Sequence, residues 1–287
     1  MRTLTGFGRV ILTLEARVPR RSYRNTLLYA SVIMSPERTK HKVAACLTAI
    51  ALLLIVVTWP RAMGYFTLMS APAPAGTHGP YTTNFSGTEN PISEGGMWLN
   101  GQTDGLDWTD VRTTPGFAFG TEIGGKRPEP QKYDDSTALL KGTWGPNQTL
   151  QATVRCEHPN QDGKVLEEVE LRLRSSISPH NCTGYEVMFR CTKIPQAYCN
   201  IARWEGPLGK FTMLKETHGS QYGVKDGDVV KATMMGKILT VYINGMQMIQ
   251  ISDDKFANGN PGVGYYLEGG TGMIGDFGFS RFTATDR

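Results

Sequence analysis

From residue 80 onward the sequence has almost nothing that reads as a helix: no stretch repeats apolar residues at a 3.6-residue spacing. No segment of 20 to 50 residues recurs, which argues against a propeller or a solenoid. The cysteines of this region, Cys156, Cys182, Cys191 and Cys199, form no paired CxxC knuckle, and no histidine lies close enough in sequence to complete a zinc cage. His78, His158, His180 and His218 are scattered, so no Ser/His/Asp or Cys/His arrangement is legible. An EF-hand loop is also missing. Nor is there a basic surplus. The chain carries a net charge of +4, but residues 1–75 hold 10 Lys/Arg and 2 Asp/Glu, leaving 20 basic and 24 acidic residues in the remainder. The basic character belongs to the N-terminal segment, and a weakly acidic remainder offers no footprint for a phosphate backbone, so nucleic acid is not an expected partner.

What is present begins with one long apolar run. Residues 43–57 are uninterrupted by charge, follow Arg38, Lys40 and Lys42, and precede Pro60, the pattern of an export signal. At 15 residues the run is shorter than the roughly 20 needed to span a bilayer, which favours cleavage over anchoring. The expected organisation is an upstream extension at 1–33 with Met34 as the true start, a signal or anchor at 34–64, a Pro/Ala/Gly linker at 65–80 and one domain at 81–287. The expected location is secreted, periplasmic or in the cell envelope, with membrane contact only through an uncleaved N-terminal segment. In that setting the even cysteine count predicts disulfides. Cys191 with Cys199 is the first choice, bridging a hairpin, and Cys156 with Cys182 follows.

The domain itself reads as short β-like runs punctuated by Gly, Asn, Asp and Pro every 8 to 12 residues or so. Gln151–Cys156, Val165–Arg174, Gly184–Cys191, Tyr198–Trp204 and Phe211–Glu216 are followed by a meander of Asp228–Met235, Ile238–Ile243 and Met246–Ile251, then Gly262–Leu267 and Met273–Phe282. Asn244-Gly245 between apolar runs is a type I′ hairpin signal, because both central residues need positive φ. About a dozen strands are too many for one flat sheet. The expected fold is all-β, a two-sheet antiparallel sandwich.

Asn84-Phe-Ser-Gly87, Gly95-Gly-Met-Trp98, Asp226-Gly-Asp228, Ile238 to Gly245, Gly259-Asn-Pro-Gly-Val-Gly264 and Gly275-Asp-Phe-Gly-Phe279 together resemble the concanavalin A-like lectin/glucanase superfamily. Laminin-G-like modules and keto-disaccharide hydrolase domains share the pattern. The resemblance spans nearly all of 81–286 and implies a jelly roll that handles a glycan or polysaccharide on the concave face of one sheet. It also implies a structural calcium, for which Asp276 and Glu94 are the candidate ligands, while no cofactor is required. These motifs are turn chemistry, so they specify a scaffold and leave binding module, glycoside hydrolase or polysaccharide lyase, and structural or adhesive envelope protein as alternatives.

The charged strand Val165 to Arg174 carries the candidate chemistry. With a period of two, Val169, Leu171 and Leu173 point one way, and Glu168, Glu170, Arg172 and Arg174 the other. Such an array offers fixed donors and acceptors to hydroxyls or uronate carboxylates. Glu170-Leu171-Arg172 is similar to part of the Arg-x-Glu-Leu-Arg strand of alginate-lyase-like enzymes, but Glu168 stands where their first Arg would be, and the glucanase Glu-x-Asp-x-x-Glu pattern also fails. In an enzyme Glu170 would act as acid/base and Arg172 would orient the sugar. The adjacent Arg172 is expected to keep Glu170 ionised, which favours binding over proton donation. On neighbouring runs Glu186 and Arg190 share a face, and Trp204 is suited to stack on a sugar ring. Trp108 and Trp144, in Gly/Asp-rich surroundings, are the expected exposed aromatics.

Overall fold

The computed structural model describes residues 80–125, 128–159, 161–269 and 274–287. The expected extension, signal and most of the linker lie outside these residues. Among those described, no helix is long and apolar enough to cross a membrane.

The described strands are β1 (Tyr81–Thr83), β2 (Trp98–Asn100), β3 (Val111–Thr114), β4 (Phe117–Gly120), β5 (Ser136–Leu140), β6 (Gln148–Cys156), β7 (Leu166–Ser178), β8 (Asn181–Arg190), β9 (Cys199–Gly206), β10 (Phe211–Lys215), β11 (Val229–Met235), β12 (Ile238–Ile243), β13 (Met246–Ser252), β14 (Asn260–Glu268) and β15 (Phe277–Asp286). They form two antiparallel sheets. The eight-stranded sheet runs β13-β12-β11-β6-β15-β4-β3 with β1 added along β15, and the seven-stranded sheet runs β10-β9-β8-β7-β14-β5-β2.

The period of two builds the core between them. Leu150, Ala152 and Val154 of β6, Val230, Ala232 and Met234 of β11, and Leu239 and Val241 of β12 face Val169, Leu171 and Leu173 of β7, Tyr185, Val187 and Phe189 of β8, and Val263, Tyr265 and Leu267 of β14, all buried in one cluster. Each large side chain buried there contributes roughly 1.5–3 kcal/mol. A register shift between Phe279 and Arg281 changes the parity of β15, so that Phe277 and Phe279 are followed inward by Phe282 and Ala284. Asn244 and Gly245 both have positive φ, the hairpin geometry expected of them.

All four described cysteines are buried free thiols, which corrects both expected disulfides. Cys182 packs with Leu106, Trp108 and Trp204 in a small second cluster, while Cys156 belongs to the main core, so these two cannot meet. Cys199 lies opposite Phe189 on the β8–β9 ladder, and Cys191 lies beyond the end of β8. The neighbour of Cys191 is instead Cys156, whose Sγ lies 3.5 Å from the Cys191 carbonyl oxygen. Burial pushes the Cys182 thiol up to about 12 and raises Cys199 as well.

Candidate functional site

The site grows from the outward face of β7. Its ladder partners place Arg190, Met188 and Glu186 of β8 opposite Glu168, Glu170 and Arg172, and Tyr266 and Gly264 of β14 opposite Glu168 and Glu170. On β9, Ala202 lies opposite Glu186 and Trp204 follows on the same face, with Phe211 of β10 opposite Trp204. The segment entering β5 adds Tyr133 and Asp135. Together these enclose a cavity of about 190 Å³, lined by Tyr133, Asp135, Leu166, Glu168, Glu170, Glu186, Met188, Ala202, Trp204, Phe211, Met213, Tyr266 and Glu268.

One glycine makes the arrangement fit. A Cβ on Gly264 would fall 2.1 Å from Glu170 Oε2 and 3.0 Å from Arg172 Nε. Only a residue without a side chain lets these two groups lie across β14. Gly264 ends the Gly259–Gly264 motif and stands within β14, as the strand run Gly262–Leu267 requires.

Arg172, 1% exposed, is the buried cation beneath the cavity. Its Nη2 donates to Asp135 Oδ2 at 2.9 Å and to Glu170 Oε2 at 2.6 Å. Its Nη1 lies 3.1 Å from Glu186 Oε2, an ion-pair distance without hydrogen-bond alignment. The same Glu186 oxygen accepts a short bond from Trp204 Nε1. Trp204 is in turn backed by Trp108, edge-on at 5.0 Å.

Three carboxylates thus share one guanidinium, and burial shifts two of them, Glu170 and Asp135. Desolvation raises Glu170 well above the usual carboxylate range, reinforced by Glu186 and Asp135 and only partly opposed by Arg172. The sequence-based expectation that Arg172 would hold Glu170 ionised is therefore reversed. Asp135 is raised by the same burial. Glu168 accepts a 2.6 Å hydrogen bond from the Tyr198 hydroxyl, and burial outweighs that bond to push its carboxyl up to about 8. Glu168 Oε2 and Glu170 Oε1 are buried without a hydrogen-bond partner.

Of the residues singled out from sequence, Glu168, Glu170, Glu186 and Trp204 line the cavity and Arg172 lies beneath it. Arg174 does not join them. A β-bulge after Leu173 and a φ of 47° at Arg174 break the alternation, and its guanidinium instead donates to the carbonyls of Pro146, Phe256 and Gly236. Arg190 likewise clamps loops, donating to the carbonyls of Gln196, Gly163 and Val165. Trp108 and Trp144 are buried, against expectation: Trp108 packs on Trp204, and Trp144 lies in the main core with Nε1 bonded to the Lys141 carbonyl.

Glu94 and Asp276 do not form a cation site. Glu94 accepts from Tyr81, Thr83 and Trp98, and Tyr81 pairs with Ala284. Asp276 precedes the other end of β15, roughly 25 Å away along the strand. Asp135, Glu170 and Glu186 do bring ligand-type oxygens within 4.8 Å of one another, but Arg172 already bonds or pairs with all three. That donor set is compensated by a guanidinium and does not fit calcium, which takes six to eight oxygens.

Sequence reasoning missed Asp135, Tyr133, Gly264, Tyr266, Glu268 and Phe211. Three were readable: on β14, Gly264, Tyr266 and Glu268 alternate with the core residues Val263, Tyr265 and Leu267. Asp135 and Tyr133 sit in a loop whose approach to β7 has no local signal.

No family model matches this chain, and no curated protein does either. Solved structures to which it is similar include the carbohydrate-binding module CBM66 from Bacillus subtilis, at 15% identity over 68% of this chain and 96% of that one, with a TM-score of 0.42. The carbohydrate recognition domain of Emp46p in its potassium-bound form gives 12% identity, coverage of 71% and 95%, and a TM-score of 0.45. A GlcNAcα1-4Gal-releasing endo-β-galactosidase from Clostridium perfringens gives 9%, 71% and 61%, and 0.43. Each carries a carbohydrate function in its own name. At these scores no residue role transfers, and the sandwich stands on its own strand pairing.

Proposed function

We propose that residues 81–287 are the glycan-binding module of an exported protein, taking one sugar residue of its ligand into the cavity on the outer face of the seven-stranded sheet. The observation that carries the reading is the pair of buried, unpartnered carboxyl oxygens, Glu168 Oε2 and Glu170 Oε1, in a cavity walled by Trp204, Phe211, Tyr133 and Tyr266. A pyranose meets both demands at once, with apolar C–H faces for the rings and hydroxyls for the carboxyls. Leaving such oxygens unsatisfied costs about 1–3 kcal/mol each, which ligand hydroxyls would recover. Export is supported by the apolar run at 43–57 and its basic flank.

A glycan array tests the reading. Saturable binding is expected, weakened by Phe211→Ala, which alters a half-buried wall rather than the core. An array with no hit discards it.

A hydrolase on the same scaffold is the second reading, favoured by the burial of Glu168 and Glu170, which raises both carboxyls in the direction a general acid requires. Incubation with keto-disaccharides, β-glucans and uronate polymers separates the two, since only an enzyme turns them over.

A further inference from the structure

We propose that the cavity selects sugars carrying a free, protonated amine over neutral and acidic sugars. The inference rests on the glycan reading above and names the substrate class of that site.

The lining supplies the argument. Asp135, Glu168, Glu170, Glu186 and Glu268 all reach the cavity, and among the described residues no lysine or arginine lines it. The nearest cation, Arg172, is committed to three of those carboxylates. A uronate, sulfate or phosphate group would enter a cavity lined by five carboxyl groups with no described guanidinium free to receive it, so its buried charge would stay uncompensated. An alkylammonium meets the opposite situation. It has three donors and no acceptor, and the unpartnered oxygens Glu168 Oε2 and Glu170 Oε1 can accept from it as their carboxyls give up a proton. The aromatic walls add to this, because aromatic rings attract a cation: Trp204 already has the Arg172 guanidinium 5.9 Å from its ring centre, and Tyr266 and Phe211 line the same cavity. Tyr266 turns its hydroxyl to Glu268 at 2.8 Å, leaving its ring to the cavity.

The same chemistry gives a second signature. Burial raises the carboxyls of Glu168 and Glu170 in the ligand-free protein. An ammonium placed beside them favours their ionised form, so binding releases protons to solvent.

Isothermal titration calorimetry of the full chain tests this, using glucosamine oligomers, N-acetylglucosamine oligomers of equal length and glucuronate oligomers at pH 6, each in two buffers of different ionisation enthalpy. The glucosamine oligomer is expected to bind at least about tenfold tighter than the N-acetylated one, with net proton release and with no binding of the glucuronate oligomer. Glu168→Gln and Glu170→Gln, isosteric changes whose folding is checked by thermal melts, should narrow that preference and reduce the proton release. Equal or tighter binding of the neutral or acidic oligomers, or proton uptake, overturns the amine selectivity and leaves the glycan reading standing. Failure of every oligomer, together with a blank glycan array, overturns both.

Discussion

The two sheets bury their strands differently. On the eight-stranded sheet, β6 alternates buried Leu150, Ala152 and Val154 with more accessible Gln151, Thr153 and Arg155, and β11 alternates buried Val230, Ala232 and Met234 with the half-buried Val229, Lys231 and Thr233. That is one face on the core and one towards water. On the seven-stranded sheet, β7 is buried on both faces from Glu167 to Ser175, and its outward face is charged. Burying charge is costly, and a hydrophobic replacement of a buried ion cluster is often neutral or stabilising. Where one sheet of a sandwich keeps the inexpensive arrangement and the other covers Glu168, Glu170, Arg172 and Glu186 with aromatic rings and a loop, the second face is where function is to be sought.

Substitutions on equivalent outward positions break or sharpen that contrast. The largest effect is expected from Arg172→Ala, which strands Asp135, Glu170 and Glu186 without their shared cation and should cost about 3–5 kcal/mol. Lys231→Ala, on the outward face of β11 and stacked over Tyr242, should cost under about 1 kcal/mol. Urea unfolding of the two variants gives the comparison directly, and similar losses would remove the asymmetry. Next in size is Gly264→Ala, expected to cost about 1–3 kcal/mol by driving a methyl group into the Glu170 carboxylate. Thermal melts measure it, and a neutral result would show that β14 shifts freely.

A pH-dependent effect follows from Glu168. Its folded carboxyl titrates near 8, against about 4.3 in the unfolded chain, so the folded state holds more protons between those values. Stability is therefore full below about pH 4.3 and declines as pH rises towards 8, by an amount on the order of 5 kcal/mol from this group. Glu168→Gln should flatten that decline. A denaturation series from pH 4 to pH 8.5 reads it, and a slope of the opposite sign would contradict the buried, protonated state. The smallest expected effect concerns the thiols. Cys156, Cys182, Cys191 and Cys199 are buried and unbonded, so alkylation mapped by mass spectrometry should leave them unmodified in the native state and label all four after unfolding.

Much of the scaffold was legible because it is written locally. The Asn244-Gly245 hairpin, the meander from β11 to β13 and the alternation of Val169, Leu171 and Leu173 depend on residues close in sequence, and the structure places each as its pattern requires. The site was half legible for the same reason: the outward set of β7 follows from the period of two up to Leu173. The alternation failed at Arg174, where a bulge changes parity, and bulges leave no reliable mark in a charged strand. Trp108 was misjudged because polar neighbours in sequence do not reveal that it packs on Trp204 across the fold. Asp135 was invisible because only tertiary structure brings it to Arg172, 37 residues away. The ionisation of Glu170 was misjudged because an adjacent arginine is readable from sequence whereas complete burial is not.

The central claim is that the outward face of the seven-stranded sheet, and not that of the eight-stranded sheet, meets a glycan. Titration of an array-identified glycan into the wild-type chain, Glu170→Gln and Lys231→Ala tests it most directly. Glu170→Gln is expected to change affinity by about tenfold or more while its melting temperature stays near that of the wild type, and Lys231→Ala is expected to bind as the wild type does. Unchanged binding by Glu170→Gln, or an equal loss in Lys231→Ala, would contradict the account.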